Sequence, residues 1–243
     1  MWTLRAILFA ILFYGATFLC VVACLIASLF SERALFAVVM SWTRIHHNLA
    51  LNILGIQTRL DGEFPPGSYL IAVKHQAIYE TLEIVRLSHL PVLVMKRELA
   101  DIPLFGKVTR LYGVIPVERS AGARALRVML TEGKRAIASG RPVAIYPEGT
   151  RVAVGTAPPL RSGFAGLYRA LGLPVLPVAL DSGVFWGRGL ALRSGTVTFK
   201  VGQMIPAGLG REDVETRVHA AINALESAAH GSVAQESVAQ PGA

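Results

Sequence analysis

Tyr69-Leu70-Ile71-Ala72-Val73 runs directly into Lys74-His75-Gln76-Ala77-Ile78-Tyr79-Glu80-Thr81. The first five residues are apolar and β-prone and read as a buried strand, and the residues after them as a loop passing into a helix. Further short apolar runs follow at Val92 to Met95, Val114 to Val117, Val143 to Tyr146, Val175 to Leu180 and Thr196 to Val201. Amphipathic stretches separate them. Leu126, Met129, Leu130, Gly133 and Ile137 mark one face of a helix over about 123–139, and a second helix is expected over about 211–229. Strands buried on both faces and separated by helices imply an α/β fold, a central, mostly β sheet flanked by helices.

Towards the N-terminus, Glu63-Phe64-Pro65-Pro66-Gly67 is a turn-rich break, and the domain boundary is expected there. The expected division is 1–62 as membrane-anchoring helices, 63–229 as the α/β domain, and 230–243, rich in Ser, Gln, Ala and Gly, as a flexible tail. From Ala6 to Phe30 no residue is charged. About 20 apolar helical residues cross a bilayer core, so this run is long enough to span with some tilt. The rival is a cleaved leader. The run outlasts a signal-peptide core, continues past the lipoprotein-like Val21-Val22-Ala23-Cys24, and shows no small-x-small site before Glu32-Arg33, so a retained anchor is expected. A second apolar segment, about 34–56, repeats Trp42, Ile45, Leu49, Ile53 and Ile56 at helical spacing, which suits a helix lying in the membrane interface. His46 and His47 diverge by about 100° on such a helix. They read as interfacial or solvated rather than as a chelating pair.

The chain has 243 residues, 53% of them hydrophobic and 16% charged, and a mean hydropathy of +0.49. That is too apolar for an ordinary soluble domain. The formal net charge is +8. Anionic lipid explains that charge alongside an apolar N-terminus. No interleaved basic and aromatic platform points to nucleic acid. The two cysteines, Cys20 and Cys24, lie four apart inside the apolar run, and no CxxC or Cys/His cluster exists, so neither a disulfide framework nor a metal site is expected.

His75 and Glu80 are the first candidates for chemistry. On one helix, residues five apart differ by roughly 140° in azimuth and do not meet. With His75 in the loop and Glu80 in the helix that follows, the carboxylate can face the ring, fix its tautomer and make the other nitrogen a better base. Such a pair can deprotonate a hydroxyl without a covalent enzyme intermediate. A histidine with an acid five residues on is common by itself. Three later blocks give it weight: Gly113-Val114-Ile115-Pro116-Val117-Glu118-Arg119, Tyr146-Pro147-Glu148-Gly149-Thr150-Arg151, and Leu173-Pro174-Val175-Leu176-Pro177-Val178. Each follows or overlaps an expected strand, where an α/β sheet places its ligand loops. Two of them end in an arginine, whose fork matches phosphate.

In this order and approximate spacing, the four blocks resemble those of the glycerolipid acyltransferases, the family of bacterial lysophosphatidate acyltransferases. Lys96-Arg97-Glu98-Leu99 with Pro103-Leu104-Phe105-Gly106 resembles the segment that the family carries between the first two blocks. The resemblance covers about 68–181. It departs at one position: the family's usual acid is aspartate, and here it is Glu80, in a Lys-His-Gln-x-x-x-Glu-Thr form that looks like a bacterial subgroup. The family pattern leaves Glu83 as a charge on the helix surface.

The resemblance implies an acyltransferase domain in which His75, oriented by Glu80, takes the proton of the sn-2 hydroxyl of 1-acylglycerol 3-phosphate (lysophosphatidic acid). The oxygen attacks the thioester of acyl-acyl-carrier-protein or acyl-CoA, and phosphatidate results, without metal or cofactor. Arg119 and Arg151 would hold the phosphate, Lys96 more weakly, and Glu148, Gly149 and Thr150 would shape the glycerol pocket. The setting implied is the bacterial cytoplasmic membrane, with the catalytic domain on the cytoplasmic side. Two alternatives stay open: the same chemistry on another lysolipid, such as a lyso-ornithine lipid, and a non-catalytic protein that binds anionic lipid.

Overall fold

The structure, a computed structural model, describes residues 2–118, 122–187, 189 and 191–226. The strand that opened the sequence reading, β2 (Leu70–Val73), lies at the centre of a seven-stranded sheet, and all four of its residues are buried. The other strands are β1 (Ile56–Asp61), β3 (Val92–Lys96), β4 (Ile115–Val117), β5 (Val143–Ile145), β6 (Val175–Leu180) and β7 (Gly195–Val201), in the order β1-β7-β6-β2-β5-β3-β4. β2 runs parallel to β5 and β6, β3 runs parallel to β4 and β5, and β7 turns antiparallel to β6. The carboxyl ends of β2, β3, β5 and β6 therefore share one edge, where the loops of an α/β sheet collect a ligand.

Alternation along the strands assigns the two faces. Leu70 and Ala72 pack with Val143, Ile145 and Val175 against α6 (Ala123–Ala138), α7 (Ser162–Leu171) and α9 (Arg211–Ile222). Ile71 and Val73 point the other way, into a cluster with Tyr79, Ile84 and Val85 of α3 (Tyr79–Leu87) and Val108 and Tyr112 of α5 (Phe105–Tyr112). Leu35 and Val39 of α2 (Glu32–Leu49) and Ala6 and Phe9 of α1 (Trp2–Ala27) belong to that same cluster. The N-terminal helices are thus a layer of the core and not a detached appendage.

α1 is long and apolar enough to cross a membrane by length and composition, with mean hydropathy 2.5 over Thr3–Ala27 and most of its surface exposed. Ser31 caps α2 by accepting the Ala34 N–H, and α1 and α2 form an antiparallel hairpin. Phe13 meets both Trp42 and His46, and the Trp42 indole donates to Thr17 Oγ1 at 2.9 Å. α2 lies along the sheet domain: Phe36 packs on Tyr112 near one end, and His46 packs on Tyr79 and Trp186 near the other. Phe9 of α1 also reaches Trp186, with ring centroids 5.4 Å apart.

One expectation changes here. The helix expected to run to Ile56 widens into a π-helix at Ala50–Leu54 and stops at Gly55, whose φ of +65° is left-handed. Ile56 then opens β1, which pairs in parallel with β7 from Ile56–Gly195 to Asp61–Lys200. The sheet therefore begins before the turn at 63–67. The expected tail at 230–243 lies outside the described residues, and α9, the last helix with a full range among the described residues, ends at Ile222.

Candidate active site

β2 ends at the loop edge of the sheet, and residues 74–78 carry the chain into α3. His75 lies in that loop and Glu80 in the first turn of α3. Nδ1 of His75 is 2.9 Å from Oε1 of Glu80. The same oxygen accepts the N–H groups of Gln76 at 2.8 Å and Ala77 at 2.7 Å. Its partner Oε2 accepts the hydroxyl of Ser182, the first residue of α8 (Ser182–Phe185), at 2.7 Å. Glu80 is fully buried, and these contacts fix its carboxylate against rotation. With its Nδ1–H donated to a carboxylate, a neutral imidazole carries its lone pair on Nε2. Held in one tautomer and one orientation, such a ring can serve as a base.

The ring of His75 lies against Tyr146, with centroids 4.2 Å apart and planes 30° apart. The Tyr146 hydroxyl is buried and has no hydrogen-bond partner among the described residues. Burial first, and the Glu80 charge second, push its phenol well above the ordinary value. Tyr146 is thus a neutral platform for the imidazole.

Behind this pair sits a buried ion network. Lys74 is fully buried, and its Nζ donates to Glu148 Oε1 at 2.7 Å, to the Thr156 carbonyl at 2.7 Å and to Asn223 Oδ1 at 2.6 Å. Three ammonium hydrogens meet three acceptors, so the buried cation is satisfied. The other oxygen of Glu148 accepts the His75 N–H at 3.0 Å, and the Val152 N–H donates to the His75 carbonyl at 2.8 Å. The loop after β5 thereby holds the His75 backbone from both sides. Burial raises the Glu148 carboxyl, and the Lys74 ammonium offsets part of that rise. Glu226 closes the network from the C-terminal side. It accepts the Gln76 amide at 2.8 Å and the Gly155 N–H at 2.5 Å, and it lies 3.4 Å from Lys74 Nζ.

The sequence-derived candidates separate accordingly. His75 and Glu80 come together. Glu148, expected in a pocket wall, turns inward and spends both oxygens on Lys74 and His75. Gly149 sits in the turn closed by its N–H to the Tyr146 carbonyl, with φ +70°, and a Cβ there would fall 2.9 Å from Arg161 Cγ. Glycine is required on both counts. Thr150 and Arg151 follow, exposed, beside the strand of backbone that bonds to His75. Lys96 ends β3, half exposed and paired with Glu98 at 2.9 Å. Arg119 lies outside the described residues. Sequence reading passed over Lys74, Gln76, Tyr146, Ser182 and Glu226. Lys74 at the buried end of an apolar strand was the one available signal, because a cation there demands a buried acid.

Glu83 is not a surface charge. It is fully buried one turn beyond Glu80, accepting Thr58 Oγ1 at 2.9 Å and Arg86 Nη2 at 2.6 Å. His47 Nδ1 lies 3.3 Å and His46 Nδ1 3.7 Å from its oxygens. Burial raises its carboxyl, but the two imidazoles and Arg86 outweigh that and hold it well below the ordinary range. Nor is His46 solvated: it is 1% exposed among Phe9, Phe13, Tyr79 and Trp186, and burial lowers its pKa. This cluster joins α2 to β1 and α3.

Known proteins carry the same architecture. A model of the acyltransferase family matches residues 58–181. The 1-acyl-sn-glycerol-3-phosphate acyltransferase of Pseudomonas aeruginosa is 32% identical over 209 residues, 84% of this chain and 81% of that protein. The human 1-acyl-sn-glycerol-3-phosphate acyltransferase beta is 31% identical over 65% of this chain and 58% of its own length. The crystal structure of the 1-acyl-sn-glycerophosphate (LPA) acyltransferase PlsC from Thermotoga maritima superposes with a TM-score of 0.75 over 93% of this chain and 98% of that one, at 16% identity, and so shares the fold. The family match spans the loop that carries His75, the helix that carries Glu80 and the turn at Gly149, and with it the chain belongs to the acyltransferase family.

Proposed function

We propose that this enzyme transfers an acyl chain from acyl-acyl-carrier-protein or acyl-CoA to the sn-2 hydroxyl of 1-acyl-sn-glycerol 3-phosphate, giving phosphatidate for phospholipid synthesis. The observation that carries the reading is the 2.9 Å contact between His75 Nδ1 and Glu80 Oε1, in a chain of this family. Nε2 takes the hydroxyl proton as the oxygen attacks the thioester carbonyl, and the imidazolium that forms is stabilised by Glu80. When the tetrahedral intermediate collapses, the C–S bond breaks and the thiolate leaves with that proton. Glu148 and Lys74 act from behind, holding the His75 backbone. Arg151, with Arg119 and more weakly Lys96, binds the acceptor's phosphate, and Gly149 and Thr150 border the glycerol.

The chain works at the bacterial cytoplasmic membrane with its catalytic domain on the cytoplasmic side, where acyl thioesters are made. α2 lies along the sheet domain from Phe36 to His46 and α1 lies on α2, which favours a hairpin seated in one leaflet over an upright span.

Purified enzyme with 1-acyl-sn-glycerol 3-phosphate tests the reading. Either donor should release free thiol and yield phosphatidate by mass spectrometry. No thiol release with acyl-acyl-carrier-protein or acyl-CoA overturns the reading, and turnover of a lyso-ornithine lipid alone reassigns the acceptor.

A further inference from the structure

The block from Lys96 to Gly106 supplies none of the hydrogen bonds that fix His75 and Glu80. It forms a face of its own, from the end of β3 through α4 (Arg97–Ala100) to α5. Beyond residue 30 the described residues expose seven large apolar side chains, and Leu99, Ile102, Leu104 and Leu111 of this stretch are four of them, each 42–50% exposed. Leu104 is also strained, with φ +62° and ψ −55°. The Phe105 N–H closes a three-residue turn onto the Pro103 carbonyl at 2.7 Å. That is the rare form of the γ-turn. Gly106 locks it, since a Cβ there would overlap the Ala100 carbonyl oxygen. A branched apolar side chain is thus held outward by backbone that resists holding it, a combination that marks functional surface.

This face continues the lipid-seeking helices. Phe105 packs on Trp42 with ring centroids 6.4 Å apart, Tyr112 packs on Phe36, and α5 touches α1. Lys96, Arg97, Lys107 and Arg110 surround the leucines, against only Glu98 and Asp101.

We propose that residues 96–111 are a second membrane-contacting surface, built into the catalytic domain and seated on an anionic phospholipid bilayer beside α1. Leu99, Ile102, Leu104 and Leu111 enter the boundary between headgroups and acyl chains, and Arg97, Lys107 and Arg110 face lipid phosphate. Lipid fits better than an acidic carrier protein. Arg110 and Lys96 already hold Asp101 and Glu98 at 2.7 and 2.9 Å, so the apolar side chains carry more of the contact than free charge does. The proposal rests on the lipid-embedded reading of α1 and not on the acyl-transfer chemistry.

The test uses the full chain with Cys20 and Cys24 replaced by alanine and one new cysteine at 99, 104 or 111, labelled with nitrobenzoxadiazole. Positions 99 and 111 lie in unstrained backbone, so the test survives if Leu104→Cys misfolds. Lys134→Cys, exposed on α6 against the opposite face of the sheet, is the control. In phosphatidylcholine vesicles containing phosphatidylglycerol, the three labels should shift to the blue and resist iodide several-fold better than position 134. The shielding should weaken when phosphatidylcholine is the only lipid. Iodide access equal to that at 134 overturns the surface. Shielding that appears only on adding acyl carrier protein, or that falls on dilution as a second copy dissociates, overturns the occupant. Shielding indifferent to phosphatidylglycerol overturns the anionic preference.

Discussion

Ser182 donates its hydroxyl hydrogen to Oε2 of Glu80 across 2.7 Å, at the oxygen that His75 leaves unused. Both groups are fully buried, so this bond has no water to replace it. Ser182→Ala should therefore loosen the carboxylate and lower kcat by roughly tenfold, about 1.4 kcal/mol, which is the scale of one hydrogen bond to a charged group. KM for the acceptor should hardly move. An unchanged kcat in steady-state assays would remove Ser182 from the orienting set.

Glu80→Gln should lower kcat by roughly 10²–10⁴, as carboxylate-to-amide changes do beside a catalytic histidine, with little change in acceptor KM. Glu80→Asp is the more discriminating change. It shortens the side chain by about 1.5 Å, which opens the 2.9 Å contact with His75 unless the loop moves. Although aspartate is the usual residue in the resembling family, it should be impaired here. Wild-type turnover by Glu80→Asp would show that the loop adjusts freely.

Arg151→Ala should raise the acceptor's apparent KM by roughly 10- to 100-fold, the equivalent of one charge-assisted phosphate contact, and leave kcat nearly intact. The measurement is a saturation curve with the phosphate-bearing acceptor beside one with a neutral headgroup. A KM increase of equal size for both would mean that Arg151 does not read phosphate.

His46 gives stability a pH dependence whose sign can be worked out. Burial lowers its folded pKa, so below about 6.5 the unfolded chain binds a proton that the folded chain refuses. Stability should therefore fall as the pH drops below that point, by up to about 1.4 kcal/mol per unit, and level off beneath the lowered folded pKa. Glu83, held low, adds a loss at more acidic pH, where the unfolded carboxyl protonates first. Thermal melts in detergent between pH 7 and 5 should show the slope, and His46→Phe, whose ring suits the aromatic surroundings, should flatten it. An equal slope in both proteins would place the titrating group elsewhere.

The sequence exposed those parts of the molecule that repeat locally. Apolar runs such as 70–73 and 175–180 announced the parallel strands, and once His75 and Glu80 were taken as a pair, helix azimuth required a break between them. β1 escaped because Gln57, Thr58, Arg59 and Asp61 make an edge strand polar, while Ile53 and Ile56 extended the helical spacing past its real end. Glu83 misled for a related reason. An acid one turn from the acid that holds His75 looks like surface unless its partners are visible, and Thr58, His46 and His47 come from other elements. The ligands of Lys74 lie 74 to 149 positions downstream, at separations where no local pattern operates.

Glu226 ties Gln76 and Gly155 together, and β7 closes on β1. These contacts set an order of events in the making of the protein. α1 and α2 are synthesised first and can seek lipid while the rest of the chain is still emerging. The first strand of the sheet must wait for the last of its seven. At about 5–20 residues per second, the roughly 130 residues between β1 and β7 take on the order of seven to thirty seconds to appear. Glu226 is made later still, so the join between the Gln76 loop and Gly155 is among the last parts of the site to form.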